Sequence, residues 1–290
     1  MNCAHAPASH AAFEHDAWAR EELCRFVRHC RGRLRPPDVG LPSRGTRRVV
    51  GLRREEVAEL ANVSATWYTS FELGGADRVS ARFIGTVARA LRMNDAERTF
   101  LFALAKPPNA VPAALLGREM ALRAVTDGEG DAAIALLDGG LRFVGANRLF
   151  RALFGDVAKA TGSTHLPRRV FEDAAIRGFV ADWDALAAVT CGALRMQMAR
   201  GDAGALEAFA ALRDDPDFRA CWSSATIVDP RNTEHVMTVV HARAGCMRLR
   251  ANAIGIHDSS TIMLIVVAAD DDAARAIASV RRQHGDARLR

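Results

Sequence analysis

Residues 52–74, Leu-Arg-Arg-Glu-Glu-Val-Ala-Glu-Leu-Ala-Asn-Val-Ser-Ala-Thr-Trp-Tyr-Thr-Ser-Phe-Glu-Leu-Gly, restrict the fold more than any other stretch of this 290-residue chain. Their spacing predicts two short helices joined by a tight turn. A steep helix crossing needs a small residue at the contact, and Ala58 supplies it between Val57 and the Leu60/Ala61 pair. Asn62 stands where the turn requires a positive φ, which Asn tolerates better than other residues bearing a Cβ. Val63 plugs the turn, Ser64 can N-cap the second helix, and Tyr68 and Phe71 form that helix's inward stripe. Ala65, Thr66, Trp67, Thr69 and Ser70 then face outward, where a recognition helix meets base edges and phosphates. An ordinary helical hairpin fits the same spacing, so the flanks have to decide.

The flanks favour DNA. Residues 1–106 carry 17 Lys/Arg against 12 Asp/Glu, a net of +5 that accounts for the whole excess of the chain. Within them, residues 20–54 hold 11 arginines and three acids. A run like that is often only a solvated face; directly before a helix pair it reads as a phosphate-binding flank. Residues 35–51 (RPPDVGLPSRGTRRVVG) hold three prolines and three glycines and so read as a loop. Loops of that length in a small domain are frequently functional, and Arg44, Arg47 and Arg48 on this one are candidates for phosphate or minor-groove contact.

The surrounding pattern is helical. Residues 1–16 are expected to form a disordered tail. Asp16 to Leu34 carries Trp18, Leu23, Phe26, Val27 and Cys30 at helical spacing. Ser80 opens a further helix through Ile84, Val87 and Leu91, and Asn94 another through Phe100, Leu101 and Leu104. Residues 17–106 are therefore expected to form an all-α, five-helix DNA-binding bundle. Here a resemblance appears: the string Arg47-Arg-Val-Val-Gly-Leu-Arg-Arg-Glu-Glu-Val-Ala-Glu-Leu-Ala is similar to the branch of Cro/repressor-type (XRE) helix-turn-helix domains whose second helix begins GLRREEVA. The resemblance implies that Arg54 faces phosphate, that Ala65, Thr66 and Ser70 face bases, and that Trp67 packs along the backbone of the DNA. It also implies that Glu72 pairs with a first-helix arginine, Arg28 or Arg31. Ala65 offers only apolar contact, so sequence reading leans on Thr66, Ser70 and DNA shape.

Lys106-Pro-Pro-Asn-Ala-Val-Pro ends the last helix and stiffens a linker over 107–112. A helix is expected over Ala113–Val125. Beyond it short apolar runs predict strands at Ala132–Leu137 and Leu141–Val144 about a Gly139-Gly140 turn, then at Ser224–Val228, His235–His241, Met247–Ala251 and Thr261–Val267. Helices are expected at Asn147–Phe154, Arg169–Phe179, Ala181–Arg200 and Gly204–Leu212. The sum is an α+β, sensor-like sheet over 113–270, with a short C-terminal helix and basic tail over 271–290. The string ALLDGGLRFVGANRLFRALFGD, followed by FVADWDAL and DPDFRACW, resembles the MmyB-like ligand-binding domain of PAS-like fold. Ala146, Ala225 and Ala242 depart from that family's Trp-Asn, histidine and His-Pro-x-x-Gly positions.

Phe143, Phe150, Phe154, Phe179, Trp183, Phe218 and Trp222 can enclose an apolar cavity, although such aromatics are more often plain core. The resemblance implies a fatty-acid-like or other apolar small molecule there, with Asn147 and His241 as polar candidates. No apolar run reaches the length of a membrane span, and the start MNCAHAPASHAAFEHD lacks the features of a signal peptide, so a cytoplasmic protein is expected. The six cysteines are scattered, without zinc-ligand spacing. Asp182/Asp184 and Asp270-Asp-Asp272 look like helix ends rather than acid–base pairs, and the usual nucleophile, phosphate-loop and metalloprotease motifs are missing. The expected protein is a homodimeric regulator that binds operator DNA, takes no metal or cofactor beyond a possible apolar effector, and has no membrane partner. Its rivals are a DNA-binding regulator whose second domain only dimerises or docks a protein, and an enzyme targeted by its helix-turn-helix.

Overall fold

Helix α1 (His10–Gly32) carries the apolar stripe that starts the first domain: Leu23, Phe26, Val27 and Cys30 are buried, while Trp18 is half-buried. The computed structural model describes residues 10–42, 51–75, 79–105, 132–155, 165–256 and 260–286, and the chain divides into two units, Met1–Pro108 with Ala199–Gly201, and Asn109–Met198 with Asp202–Arg290. The start of α1 corrects the expected 1–16 tail. Residues 10–16 are helical, because Ala11 and Ala12 are good helix formers and His15 is buried, its ring 6.2 Å from that of Trp18.

The loop expected after α1 contains a turn of 3-10 helix at Pro36–Val39. Helices α2 (Arg54–Ala61), α3 (Ala65–Glu72), α4 (Ala81–Ala90) and α5 (Asp95–Ala105) follow. Each start has a local cause. Ser80 Oγ accepts from Phe83 N at 3.1 Å to cap α4. Asn94 and Glu97 cap α5 reciprocally, each side chain accepting the other's backbone N–H at 2.9 Å. The Arg33 guanidinium grips Glu97 with both terminal nitrogens, which ties the end of α1 to the start of α5. Between these helices Phe26 and Phe100 meet edge to face at 4.9 Å.

The second unit is built on one antiparallel sheet of β1 (Ala133–Leu137), β2 (Phe143–Ala146), β3 (Asn232–His241), β4 (Gly245–Gly255) and β5 (Ile262–Ala268), in the spatial order β2-β1-β5-β4-β3. Between β2 and β3 come α6 (Arg148–Phe154), α7 (Leu166–Glu172), α8 (Ala174–Phe179), α9 (Trp183–Ala199), α10 (Ala203–Leu212) and α11 (Pro216–Ser223); α12 (Asp271–Asp286) follows β5. Register sets the inner face. His235 pairs with Ala251, Ala251 with Val266 and Val266 with Ala133, and the rows through Met237 and Leu264 lie two residues away on the same side.

Several expectations need correction. The strand read at Ser224–Val228 is irregular backbone, because the buried Arg195 takes the carbonyls of Trp222, Ser224 and Thr226 at 2.6–3.0 Å and leaves them unavailable to a ladder. The single helix read over Arg169–Phe179 is two, broken at Asp173 (φ −97°, ψ 104°), whose carboxylate caps α8 through Ala175 N. Helix α11 was not anticipated; Asp215 caps it through Phe218 N, with Pro216 in the first turn. The C-terminal helix is no appendage beyond residue 270, since Ala273, Ile277 and Val280 of α12 are buried in the core with Leu149, Leu153 and Val266. In the β1–β2 connection it is Leu141 that takes the positive φ, 59°. Gly139 and Gly140 are needed for closeness instead: a Cβ on Gly140 would stand 2.8 Å from Gly204 Cα. The helix expected at Ala113–Val125 lies outside the described residues.

Candidate DNA-recognition surface and apolar cavity

The helix pair is assembled by three local devices. Arg53 N donates to Glu56 Oε2 at 2.7 Å and starts α2. Asn62, at φ 54° and ψ 49°, ends it in the left-handed region, and Val63 N returns to Ala58 O at 3.0 Å. Ser64 Oγ then accepts from Trp67 N at 3.1 Å, capping α3. Ala58 is buried at the crossing, and Tyr68 and Phe71 anchor α3 inward.

One carboxylate holds the assembly from beneath. Glu72 is fully buried and accepts from Arg31 Nε (2.7 Å) and Nη2 (2.9 Å), from Arg54 Nε (2.8 Å) and from the Tyr68 hydroxyl (3.0 Å). Arg31 also donates to Leu52 O at 2.7 Å. Burial pushes the Glu72 carboxyl up, but the hydrogen bonds from Arg31, Arg54 and Tyr68 outweigh it and hold the group below the usual carboxylate range. Burial, followed by the Glu72 charge, drives the Tyr68 phenol well above its ordinary value. Three helices are thereby fixed to one another at a charged, satisfied centre.

Above that centre Ser64, Ala65, Thr66 and Trp67 are exposed, and Thr69 and Ser70 are half-buried. Trp67 lies flat on Phe83 of α4, ring centroids 4.8 Å apart at 18°. The second domain holds a cavity of about 150 Å³ between the inner face of the sheet and helices α6 to α9. Phe143, Phe150, Phe154 and Phe179 form a chain of rings along its wall, successive centroids 4.6–6.0 Å apart. Val180, Leu186, Leu264 and Val266 continue an almost wholly apolar lining, interrupted by Arg169, Thr190, Thr233 and His235.

Family comparisons agree with this division of labour. The family model for the MmyB-like transcription regulator ligand binding domain matches residues 111–280, and that for a helix-turn-helix domain matches residues 22–101. The chain belongs to the MmyB-like transcription regulators. No curated protein matches it. The architecture expected of an MmyB-like regulator, an N-terminal helix-turn-helix domain followed by an α+β ligand-binding domain, is thus present. Among the described residues no helix is long and apolar enough to cross a membrane, and no cluster of three His, Cys, Asp or Glu side chains could hold a metal ion.

Within this MmyB-like regulator the structure sorts the residues singled out from sequence. Of the DNA-facing set, Ser64, Ala65, Thr66, Trp67 and Ser70 lie on or beside the exposed start of α3, while Arg54 is shared with Glu72 and its side chain is 36% exposed. Arg44, Arg47 and Arg48 lie outside the described residues. The arginine that pairs with Glu72 is Arg31; Arg28 instead donates to Cys24 O.

Of the ligand set, Phe143, Phe150 and Phe154 line the cavity, as does Phe179. Asn147 does not: it caps α6 through Phe150 N and joins β1 through Ile134 N and Ala132 O. Trp183 is turned away, its indole donating to Val170 O at 2.9 Å beneath the Arg177 guanidinium. Phe218 and Trp222 belong to a separate aromatic cluster with Phe209, where Arg195 lies 4.2 Å over the Trp222 ring. His241 closes the β3–β4 turn, Nδ1 accepting from Arg243 N and Ala244 N. The polar cavity residues Arg169 and His235 were missed. Strand alternation carried a signal for His235, which shares the inward row with Met237 and Val239. Its imidazole is held below its ordinary value by burial, which outweighs the opposing charge of Asp182.

Proposed function

We propose that this regulator binds operator DNA as a homodimer and that an apolar, fatty-acid-like small molecule in the second domain modulates that binding. The observation that carries the reading is the cavity lined by aromatic and aliphatic side chains in a domain joined to a helix-turn-helix. In the finer reading the first domain is a Cro/repressor-like bundle of five helices and the second a PAS-like sensor; the sheet order β2-β1-β5-β4-β3 with helices inserted after β2 supports the latter. Thr66 and Ser70 read base edges, Ala65 touches a thymine methyl, and Arg44, Arg47, Arg48 and Arg54 hold phosphates. Neither domain is read as catalytic, in keeping with two families whose roles are DNA and ligand binding.

A ligand changes operator affinity only through a difference in its own affinity for two arrangements of the dimer. The test has two parts. Selection from a random DNA pool is expected to return an inverted repeat whose half-sites lie one or more helical turns apart. Native mass spectrometry of the purified full chain is expected to show a dimer with a co-purifying apolar small molecule. Monomers bound to single half-sites refute the dimer, and failure of whole-cell lipid extract to add mass to delipidated protein refutes the effector.

A further inference from the structure

The second domain carries a pair of thiols that DNA and ligand binding leave unused. Cys191 stands on α9 and is buried; Cys221 stands in the last turn of α11 and is half-buried. Neither is in a disulfide, and the two thiols are hydrogen-bonded to each other, Cys191 donating. Arg195 fixes the helices that bear them. It lies one turn beyond Cys191 on α9, and its guanidinium donates to Trp222 O at 2.6 Å, Ser224 O at 3.0 Å and Thr226 O at 2.9 Å while lying 4.2 Å over the Trp222 ring. Trp222 is the neighbour of Cys221, so the bonds that anchor the end of α11 also hold Cys221 beside Cys191. Ser224 tightens that end, its N and Oγ donating to Cys221 O at 3.2 and 2.9 Å.

The surroundings make the two thiols unequal. A thiolate in the last turn of a helix meets the negative end of the helix dipole, but here the Arg195 guanidinium occupies the carbonyls of that end. The hydrogen bond from Cys191, reinforced by the Arg195 charge, holds the Cys221 thiol below its ordinary value against burial and the opposing charge of Asp184. The same hydrogen bond, followed by burial, drives Cys191 far up. Burial likewise raises Cys24 and pushes Cys30 up to about 12. Cys221 is therefore the nucleophile, with a protonated second thiol in reach.

From this arrangement we infer that Cys191 and Cys221 form a peroxide-sensitive redox pair, in which Cys221 is oxidised first and Cys191 closes a disulfide onto it. The Cys221 thiolate attacks one oxygen of hydrogen peroxide: the S–O bond forms, the O–O bond breaks, and the departing hydroxide takes up a proton as water, leaving a sulfenic acid. Cys191 then gives up its proton and attacks the Cys221 sulfur: the S–S bond forms, the S–O bond breaks, and the oxygen leaves as a second water. Two thiols are oxidised by two electrons, and one peroxide is reduced to two waters. A dithiol reductant reverses the step by exchange. Where thiols are kept reduced, such a disulfide is transient and redox-sensing rather than a structural staple. It ties α11 to the helix that contributes Leu186, Val189, Thr190 and Ala193 to the cavity wall.

The test treats the reduced full chain with hydrogen peroxide, blocks the remaining thiols by alkylation and maps the tryptic peptides by mass spectrometry. Peptides 178–195 and 220–231, which carry Cys191 and Cys221, are expected to appear joined and to separate on adding dithiothreitol. At substoichiometric peroxide Cys221 is expected to react ahead of the more exposed Cys246, the reverse of the order that accessibility alone gives. In Cys191→Ala the sulfenic acid of Cys221 is expected to accumulate and be trapped by dimedone, whereas Cys221→Ala is expected to leave Cys191 unmodified. Peptides that stay apart in excess peroxide overturn the pair, and this result comes from the wild type, whether or not either variant folds. Modification of Cys246 ahead of Cys221, or oxidation of Cys191 in Cys221→Ala to the wild-type extent, overturns the assignment of Cys221 as the reactive thiol.

Discussion

Replacing Glu72 by Gln should uncouple the helix-turn-helix without emptying its core. The substitution keeps the volume but removes the charge that four hydrogen bonds from Arg31, Arg54 and Tyr68 converge on, and it points an amide donor at donors. Breaking one side of a fully buried ion pair costs about 3–5 kcal/mol. Arg31 and Arg54 keep side-chain exposures of 14% and 36%, so water partly compensates them and the lower end applies. A loss of roughly 3 kcal/mol corresponds to about a hundredfold faster opening-limited amide exchange. Hydrogen–deuterium exchange of the full chain reads this locally: peptides spanning α2 and α3 should exchange faster by that factor, while peptides from β3 to β5 should not change. An increase below about fivefold in α2 and α3, or an equal increase in the sheet, would show that the Glu72 centre does not hold the helix pair together.

Three further outcomes follow from the same structure. Thr66→Ala and Ser70→Ala should each cost on the order of 1 kcal/mol at a single operator position, whereas Arg54→Ala should weaken all sequences alike and lower the salt slope by about one counterion; competition binding over a panel of operator variants and salt concentrations distinguishes these. Gly140→Ala would press a Cβ into the Gly204 backbone at 2.8 Å, and should destabilise the second domain by about 1–3 kcal/mol in urea unfolding while leaving operator sequence preference untouched. Acid should act on the two domains in different windows. The folded pKa of His235 is depressed, so the stability it confers on the second domain is present above about 6.5 and lost as pH falls below it; that of Glu72 is likewise depressed, so its contribution persists to below the usual carboxylate value of 4.5. Domain-resolved exchange across a pH series should show the sheet peptides loosening first.

What could be read from the sequence was whatever local spacing encodes. Asn62, Ser64, Tyr68 and Phe71 act within a few residues of themselves, through a turn dihedral, a cap and a helical stripe, and each took its expected conformation. The choice between Arg28 and Arg31 as partner of Glu72 was not of that kind. They lie three residues apart on neighbouring turns of one helix, and only the approach of α3 selects Arg31. The false strand at Ser224–Val228 has a similar cause, since its composition favours extended backbone but its carbonyls are claimed by Arg195 from another helix. The aromatic set divided for the same reason. Phe150 and Trp222 are equally suited to line a cavity, and the helix on which each stands decides that Phe150 does and Trp222 stacks on Phe218 instead.

The most direct test of ligand-controlled DNA binding is the operator affinity of delipidated full chain, measured by fluorescence anisotropy with the cavity empty and with it saturated by octanoate. Linkage requires that the factor by which octanoate changes the operator Kd equal the factor by which operator changes the octanoate Kd. The proposed function predicts a change of at least about fivefold, in either direction, with the two factors equal. An operator Kd that stays the same while calorimetry shows octanoate bound would contradict it, and would leave the second domain a dimerisation or docking module.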